Sequence, residues 1–275
     1  MSSHRQGNDR SGRPRLPPRG PRAGPEHAAS AGHRRRLEDV QAEWLWGTHS
    51  VAAALANPAR GPVKRLVATA ERAAAISRRA DAATVEVLDN QEIARLLPAG
   101  AVHQGIALRI PPLDPTALET LAQGGPGFLL MLDQVTDPQN VGAAFRSAAA
   151  FGARGVILQD RHAPALAGAL AKAAAGGLDA VPHARETNLS RALETLETMG
   201  WRAVGLDGTA GMDLADALDG TPTVLVVGSE GGGLRRLVAE HCDALARIPM
   251  PGAMESLNVA AAVAVACYEA ARVRL

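Results

Sequence analysis

Phe128-Leu129-Leu130-Met131-Leu132, then Asp133-Gln134-Val135-Thr136-Asp137-Pro138-Gln139-Asn140-Val141-Gly142 and on to Arg146, is the stretch that decides the fold. Five unbroken apolar residues read as a strand buried on both faces. The polar residues after them read as a turn, and Val141–Phe151 has the composition of a helix lying on a sheet. Strand, polar edge and helix form the repeating unit of a parallel sheet, whose ligands collect at the carboxyl ends of the strands. Two further blocks repeat that order. Val227-Gly228-Ser229-Glu230-Gly231-Gly232-Gly233 closes the apolar run Thr223–Val227. Ile248-Pro249-Met250-Pro251-Gly252 through Ser256-Leu257-Asn258 lies between Leu245–Ile248 and a long Ala-rich stretch.

Working outward, the same alternation predicts strands at Gly155–Leu158, Ala180–Val181 and Arg202–Leu206. Helices are predicted at Pro164–Ala175, Leu189–Met199, Leu234–Cys242 and Leu257–Val273. Together these make residues 127–275 an α/β domain with a covered parallel sheet. A smaller α/β unit precedes it over residues 44–111. It has helices at His49–Ala56, at Ala70–Ala80 and from an Asp89 cap to Leu97, and strands at Lys64–Ala68, Thr84–Leu88 and Ile106–Ile110. Residues 112–126 read as a linker with one short helix, Pro115–Gln123. Residues 1–43 are rich in Pro, Gly and Arg without apolar period and are expected to be a disordered basic tail. Nine arginines give residues 1–40 a net +5, against +1 for the whole chain, so the remainder is acidic. A basic tail on an acidic body points to a polyanion or to a solvated extension.

Of the 275 residues, 47% are hydrophobic and 3% aromatic, so the core is built from Ala, Leu and Val. No apolar run approaches the roughly 20 residues of a membrane span, and the N-terminus lacks the apolar stretch of a secretory signal. Cys242 and Cys267 form no metal-like pair, and the histidines are scattered without ligand spacing. The expectation is a cytoplasmic protein with no structural metal.

The blocks leave several chemical readings open. Asn140 stands where a helix starts and is either a plain N-cap or a functional amide. Arg146 falls in a run of Ala, Phe, Val and Gly. A guanidinium on so apolar a helix needs a partner, either a structural carboxylate or a ligand phosphate. Glu230 sits in a glycine loop that is neither a P-loop nor a dinucleotide fingerprint, and Ser229 is not in a nucleophile elbow. Such a loop offers exposed backbone to a flat polar ligand, or is simply a tight turn. Ser256 is either the cap of the last helix or part of a site behind a Pro-stiffened loop.

Taken in order and spacing, the three blocks resemble the SpoU (TrmH) family of RNA ribose 2′-O-methyltransferases. That pattern has an Asn and an Arg six residues apart, then G-x-E-G-x-G, then I-P-M-x-G and S-L-N. Trp46-Gly47-Thr48-His49-Ser50-Val51 and His103-Gln104-Gly105 resemble the opening and close of the family's small domain. Trp46 stands where a Tyr is usual, and Ala174 where a Ser is common. The two-part layout is most similar to 23S rRNA guanosine 2′-O-methyltransferases of the RlmB type, with tRNA guanosine methylation and a catalytically silent RNA-binding protein as alternatives.

The resemblance implies a SPOUT-type trefoil-knotted sheet preceded by a small L30e-like domain that holds RNA. It also implies S-adenosylmethionine as cofactor and a homodimer with its site near the subunit interface. By position, it assigns Gly228, Ile248 and Leu257 to the cofactor, and Asn140, Arg146, Glu230, Ser256 and Asn258 to methyl transfer, with no metal. Lys64, Arg65, Arg72, Arg78 and Arg79 are the small domain's candidate RNA contacts.

Overall fold

A computed structural model describes residues 43–76, 84–123 and 125–274. Residues 1–42 of the expected tail and residues 77–80 of the helix expected over Ala70–Ala80, with Arg78 and Arg79, lie outside the described residues. The first elements are β1 (Trp44–Trp46), α1 (Thr48–Ala56), β2 (Arg65–Ala68), α2 (Ala70–Ile76), β3 (Val85–Val87), α3 (Asn90–Leu96) and β4 (Ile106–Arg109). Their sheet has the order β1-β4-β2-β3. Only β2 and β3 are parallel; β4 is antiparallel to both β1 and β2. The simple βαβ reading is corrected by β1, which is too short to reveal a period. Asp89 caps α3 as the sequence suggests: Oδ1 accepts from Gln91 N and Glu92 N, and Glu92 returns a bond to Asp89 N. This reciprocal arrangement satisfies donors that the first turn leaves free.

The second sheet is built from β5 (Phe128–Leu132), β6 (Gly155–Gln159), β7 (His183–Glu186), β8 (Arg202–Leu206), β9 (Met212–Asp213), β10 (Thr223–Val227) and β11 (Ala244–Arg247). Its order is β7-β6-β5-β10-β8-β11-β9, and every pairing is parallel. Alternation along β5 shows why the run is wholly apolar. Phe128, Leu130 and Leu132 enter one core with α5 (Pro138–Ala150), α6 (Gly168–Ala174), α7 (Gly177–Ala180), α9 (Leu214–Ala217) and α11 (Val259–Arg272). Leu129 and Met131 enter another with α4 (Leu118–Ala122), α8 (Leu189–Thr198) and α10 (Arg236–Glu240). Burying each such side chain contributes about 1.5–3 kcal/mol.

Several predicted ends shift by one to three residues, and two predicted elements move further. The strand expected at Ala180–Val181 is His183–Glu186, because α7 runs to Ala180 and Pro182 intervenes; its polar composition hid it. The helix expected over Pro164–Ala175 begins only at Gly168 and ends at Ala175, which adopts φ 49°. The predicted linker contains α4, whose Leu118, Leu121 and Ala122 are buried against the large sheet.

The two sheets share one core. Leu45, Leu66, Ile106 and Leu108 of the small sheet belong to the same cluster as Leu130 and Leu158 of the large one. Polar ties reinforce it. Arg60 and Asp179, both nearly inaccessible, form a bidentate pair at 2.7 and 3.0 Å, and Arg60 also donates to Pro111 O. Ser50 Oγ donates to Ala171 O at 2.8 Å. Lys172 Nζ donates to Gln104 Oε1 at 2.6 Å, the oxygen that also accepts from Thr48 N.

His183 sits beside this junction, 2% exposed, with Nε2 lacking a hydrogen-bond partner and the ring edge-on to Phe145. Burial, aided by Arg185 and Arg60, pushes its pKa down to about 4. The unfolded chain takes up this proton near pH 6.5 and the folded chain does not. The stabilisation is therefore complete above pH 6.5 and is lost as pH falls toward 4, about 3 kcal/mol in all. The urea midpoint of wild type, measured relative to that of His183→Leu, is expected to fall as pH is lowered from 7.5 to 4.5; parallel pH profiles would contradict this account.

Candidate active site

Every loop of interest leaves the carboxyl edge of the large sheet. Asp133, directly after β5, is fully buried. Its N–H donates to Val227 O of the adjacent β10 at 2.8 Å. Its Oδ1 accepts from Arg235 Nε at 2.7 Å and its Oδ2 from Arg235 N at 2.9 Å. The carboxylate thus pins the far end of the glycine loop. Between the pins, Ser229 and Gly233 exchange backbone hydrogen bonds at 3.1 and 2.9 Å, with Gly231 and Gly233 at φ 75° and 61°. A Cβ on Gly228 would overlap the Gly233 carbonyl, so no other residue fits that closure. The turn carries Glu230, exposed, at its tip.

Beneath the turn lies a cleft of about 490 Å³. Its walls come from the ends of three neighbouring strands: Leu206, Asp207 and Gly208 after β8, Val227 to Gly233 after β10, and Ile248 and Met250 after β11. Met254 to Val259 and Ala262, at the entry to α11, complete it. Six of the predicted site residues line this one cavity: Gly228, Glu230, Ile248, Ser256, Leu257 and Asn258. Asn140 stands just outside and accepts, through Oδ1, a hydrogen bond from Asn258 Nδ2 at 3.2 Å. Asn258 Oδ1 in turn accepts from Ala260 N at 2.9 Å.

These bonds correct two cap readings. The N-cap of α5 is Asp137, which accepts from Gln139 N, with Pro138 opening the helix; Asn140 lies inside the first turn with its amide free for other work. The N-cap of α11 is Asn258, not Ser256. Arg146 loses its structural-carboxylate alternative and keeps the ligand one. It is exposed on α5, makes no ion pair or hydrogen bond among the described residues, and does not line the cleft. The buried faces of α5 are Val141, Ala144, Phe145 and Ala148, so the apolar composition around Arg146 does not mean that Arg146 itself is buried. Gln139, Ala143, Arg146 and Ala150 share the opposite stripe. Ala261, Val265, Tyr268 and Arg272 form a matching stripe on α11. Asn140 meets Asn258 at one end of the two helices, and Phe151 meets Tyr268 edge-on at the other, so the stripes run side by side.

Sequence reasoning missed Asp133, Arg235, Asp207, Gly208, Met254 and Glu255. A buried acid directly after a core strand was the available signal for Asp133. Gly208 has neither a positive φ nor any atom within 4 Å of where a Cβ would stand, so nothing in the folded chain accounts for its missing side chain. Leu257 and Met254 leave 41% and 72% of their surface uncovered at the cleft. In the small sheet, Lys64 pairs with Glu43 and Arg65 with Glu86. Arg72 instead lines an open hollow with Asn90, His103 and Gln104. Burial pushes the Cys242 and Cys267 thiols up to about 12. No helix among the described residues is long and apolar enough to cross a membrane.

Residues 127–268 match the SpoU rRNA Methylase family. The chain belongs to that family. Residues 44–116 match the RNA 2′-O ribose methyltransferase substrate binding domain. A tRNA/rRNA methyltransferase, itself uncharacterized, from Mycobacterium sp. (strain KMS) is 45% identical over 180 residues, spanning 63% of this chain and 57% of that protein. The chain thus covers under two thirds of that relative's length.

Among solved structures, the AdoMet-bound rRNA methyltransferase from Sinorhizobium meliloti is 27% identical, covers 89% of this chain and 91% of its own, and superposes with a TM-score of 0.69. The SpoU methyltransferase AviRb from Streptomyces viridochromogenes, in complex with AdoMet, is 25% identical, covers 87% and 93%, and has a TM-score of 0.70. The α/β architecture is therefore that of the SpoU methyltransferase structures.

The Asp133 tie generates a test. Asp133→Ala leaves Arg235 and its N–H without partners and is expected to lower unfolding free energy by about 1.5–3 kcal/mol. Chemical denaturation measures the loss; a change under about 0.5 kcal/mol, the range of ordinary surface substitutions, would remove Asp133 from its structural role.

Proposed function

We propose that this chain is an S-adenosylmethionine-dependent RNA ribose 2′-O-methyltransferase of the RlmB type, acting as a cytoplasmic homodimer on a guanosine of 23S rRNA. The convergence of six of the eight predicted residues on one cleft at the sheet edge carries the reading. The cleft suits the cofactor in kind: about 490 Å³ lies within the range of small-ligand sites, and uncovered Leu257 and Met254 offer apolar walls. Gly208 leaves open floor, the glycine turn offers backbone groups, and acidic side chains suit a cation. When bound, S-adenosylmethionine supplies a methyl group already activated on sulfur, so the protein's work is alignment and charge.

In this reading Gly228, Ile248 and Leu257 hold the cofactor. Asn258 caps α11 and fixes Asn140, whose remaining amide hydrogens face the acceptor ribose. Ser256 and Glu230 line the transfer position, with Glu230 and Asn140 orienting Arg146. A guanidinium is a poor free base, so Arg146 anchors phosphate or stabilises the ribose oxygen as its proton departs. Because Arg146 lies outside its own chain's cleft, on the exposed stripe with Val265 and Tyr268, a second copy packed on that stripe would bring Arg146 to the partner's cleft. The small sheet supplies the RNA grip. The substrate-binding match over residues 44–116 supports an RNA partner, and the presence of this separate unit favours rRNA over tRNA.

Arg146→Ala is expected to retain cofactor affinity in calorimetry while methylation falls about 10²–10³-fold. Wild-type turnover would remove Arg146 from the reaction. Gly208→Ala places a methyl in the cleft and is expected to weaken cofactor binding about tenfold without moving the unfolding midpoint. Mapping 2′-O-methyl sites in total RNA with and without the protein tests the substrate: a lost rRNA site is expected. A lost tRNA site would favour the tRNA reading, and no lost site a silent RNA-binding protein.

A further inference from the structure

The cleft lining has a one-sided charge. Asp207, Glu230 and Glu255 face it, and no Lys, Arg or His is among its lining residues. The three acids are not equivalent. Asp207 is committed to its own turn, with Oδ1 accepting from Thr209 N at 2.8 Å and from Thr209 Oγ1 at 2.7 Å. Those bonds, the backbone one first, hold its carboxyl below the usual range and keep it ionised. Glu230 rides the glycine turn beside the transfer position. Glu255 is exposed next to Ser256 and makes no hydrogen bond or ion pair among the described residues, so its charge is uncompensated.

Resting on the cofactor reading above, we propose that this acidic lining sorts the two forms of the cofactor by charge, with Glu255 as the residue that sets the discrimination. Before transfer the donor carries a sulfonium and is net +1. In the transfer step an O–C bond forms at the ribose, the C–S bond breaks and its electron pair returns to sulfur. The hydroxyl proton leaves to solvent, and the remaining thioether is net neutral. Shape hardly changes, but attraction to fixed carboxylates is lost. In the proposed assembly the second copy's Arg146 is taken up by Glu230, which leaves Asp207 and Glu255 as the charges facing the cofactor; they therefore grip the donor more firmly than the spent product, and turnover is spared product inhibition. The effect is Coulombic, so it weakens as salt screens it.

The test is calorimetric and needs no turnover. Dissociation constants for S-adenosylmethionine, S-adenosylhomocysteine and sinefungin, in which a carbon-borne ammonium replaces the sulfonium, are measured on wild type, Glu255→Gln and Glu255→Lys. Wild type is expected to prefer both cationic ligands over the thioether. Each unit of charge removed at residue 255 should shrink that preference about threefold, the value of one carboxylate at a wet rim. Raising salt from about 0.05 to about 0.5 M should shrink it further. Thioether affinity should stay nearly constant across the series, which separates a charge effect from damage to the loop. All ligands binding with a preference that ignores both the charge at residue 255 and the salt would overturn this inference alone. If none binds, the cofactor reading fails, and this inference with it.

Discussion

A carboxylate sealed from water, with both oxygens taken by one arginine, organises the edge of the large sheet. Asp133 closes β5, and Arg235 closes the glycine turn that follows β10. The two strands are neighbours, so the pair ties the ends of adjacent loops where each would otherwise fray. Removing water from a carboxylate is expensive unless strong donors replace it, and here a charged Nε–H and a backbone N–H do so. Because Gly228 admits no side chain and Gly233 requires a left-handed backbone, the turn between the pins has little freedom left. The cleft wall is therefore a fixed surface whose shape is set before any ligand arrives.

Much of this arrangement was legible in the chain, and the reasons are local. β5, β8 and β10 are covered on both faces, and such strands leave continuous apolar runs that need no partner to be recognised. The loops after them carry the Pro, Gly and Asn that turns demand. The order and spacing of Asn140, Arg146, Glu230 and Ser256 to Asn258 did not depend on knowing which strands are adjacent.

What stayed hidden depends on neighbours distant in sequence. β7 is an edge strand whose His183-Ala184-Arg185-Glu186 looks like a loop until β6 lies beside it. Asn140 and Ser256 were credible caps because Asn and Ser cap helices well. The structure gives those roles to Asp137 and Asn258, whose side chains accept from Gln139 N and Ala260 N, and residue type alone does not distinguish the choices. The apolar composition around Arg146 suggested that it needs a partner within the fold or from a ligand, yet a helix has an outer stripe as well as an inner one, and Arg146 lies on the outer one. Asp133 stood in view directly after a core strand, but its role stayed hidden because Arg235 is 102 residues away.

The cluster that joins Leu45 and Leu66 to Leu130 and Leu158 has a mechanical meaning. An RNA grip on a slack tether would search for its target and accept many separations between the gripped nucleotide and the methylated one. Here the smaller sheet is welded to the larger by continuous packing and by Arg60 on Asp179, so the span between them is a fixed gauge. Under the proposed activity, any bending needed to bring both nucleotides into place falls on the RNA.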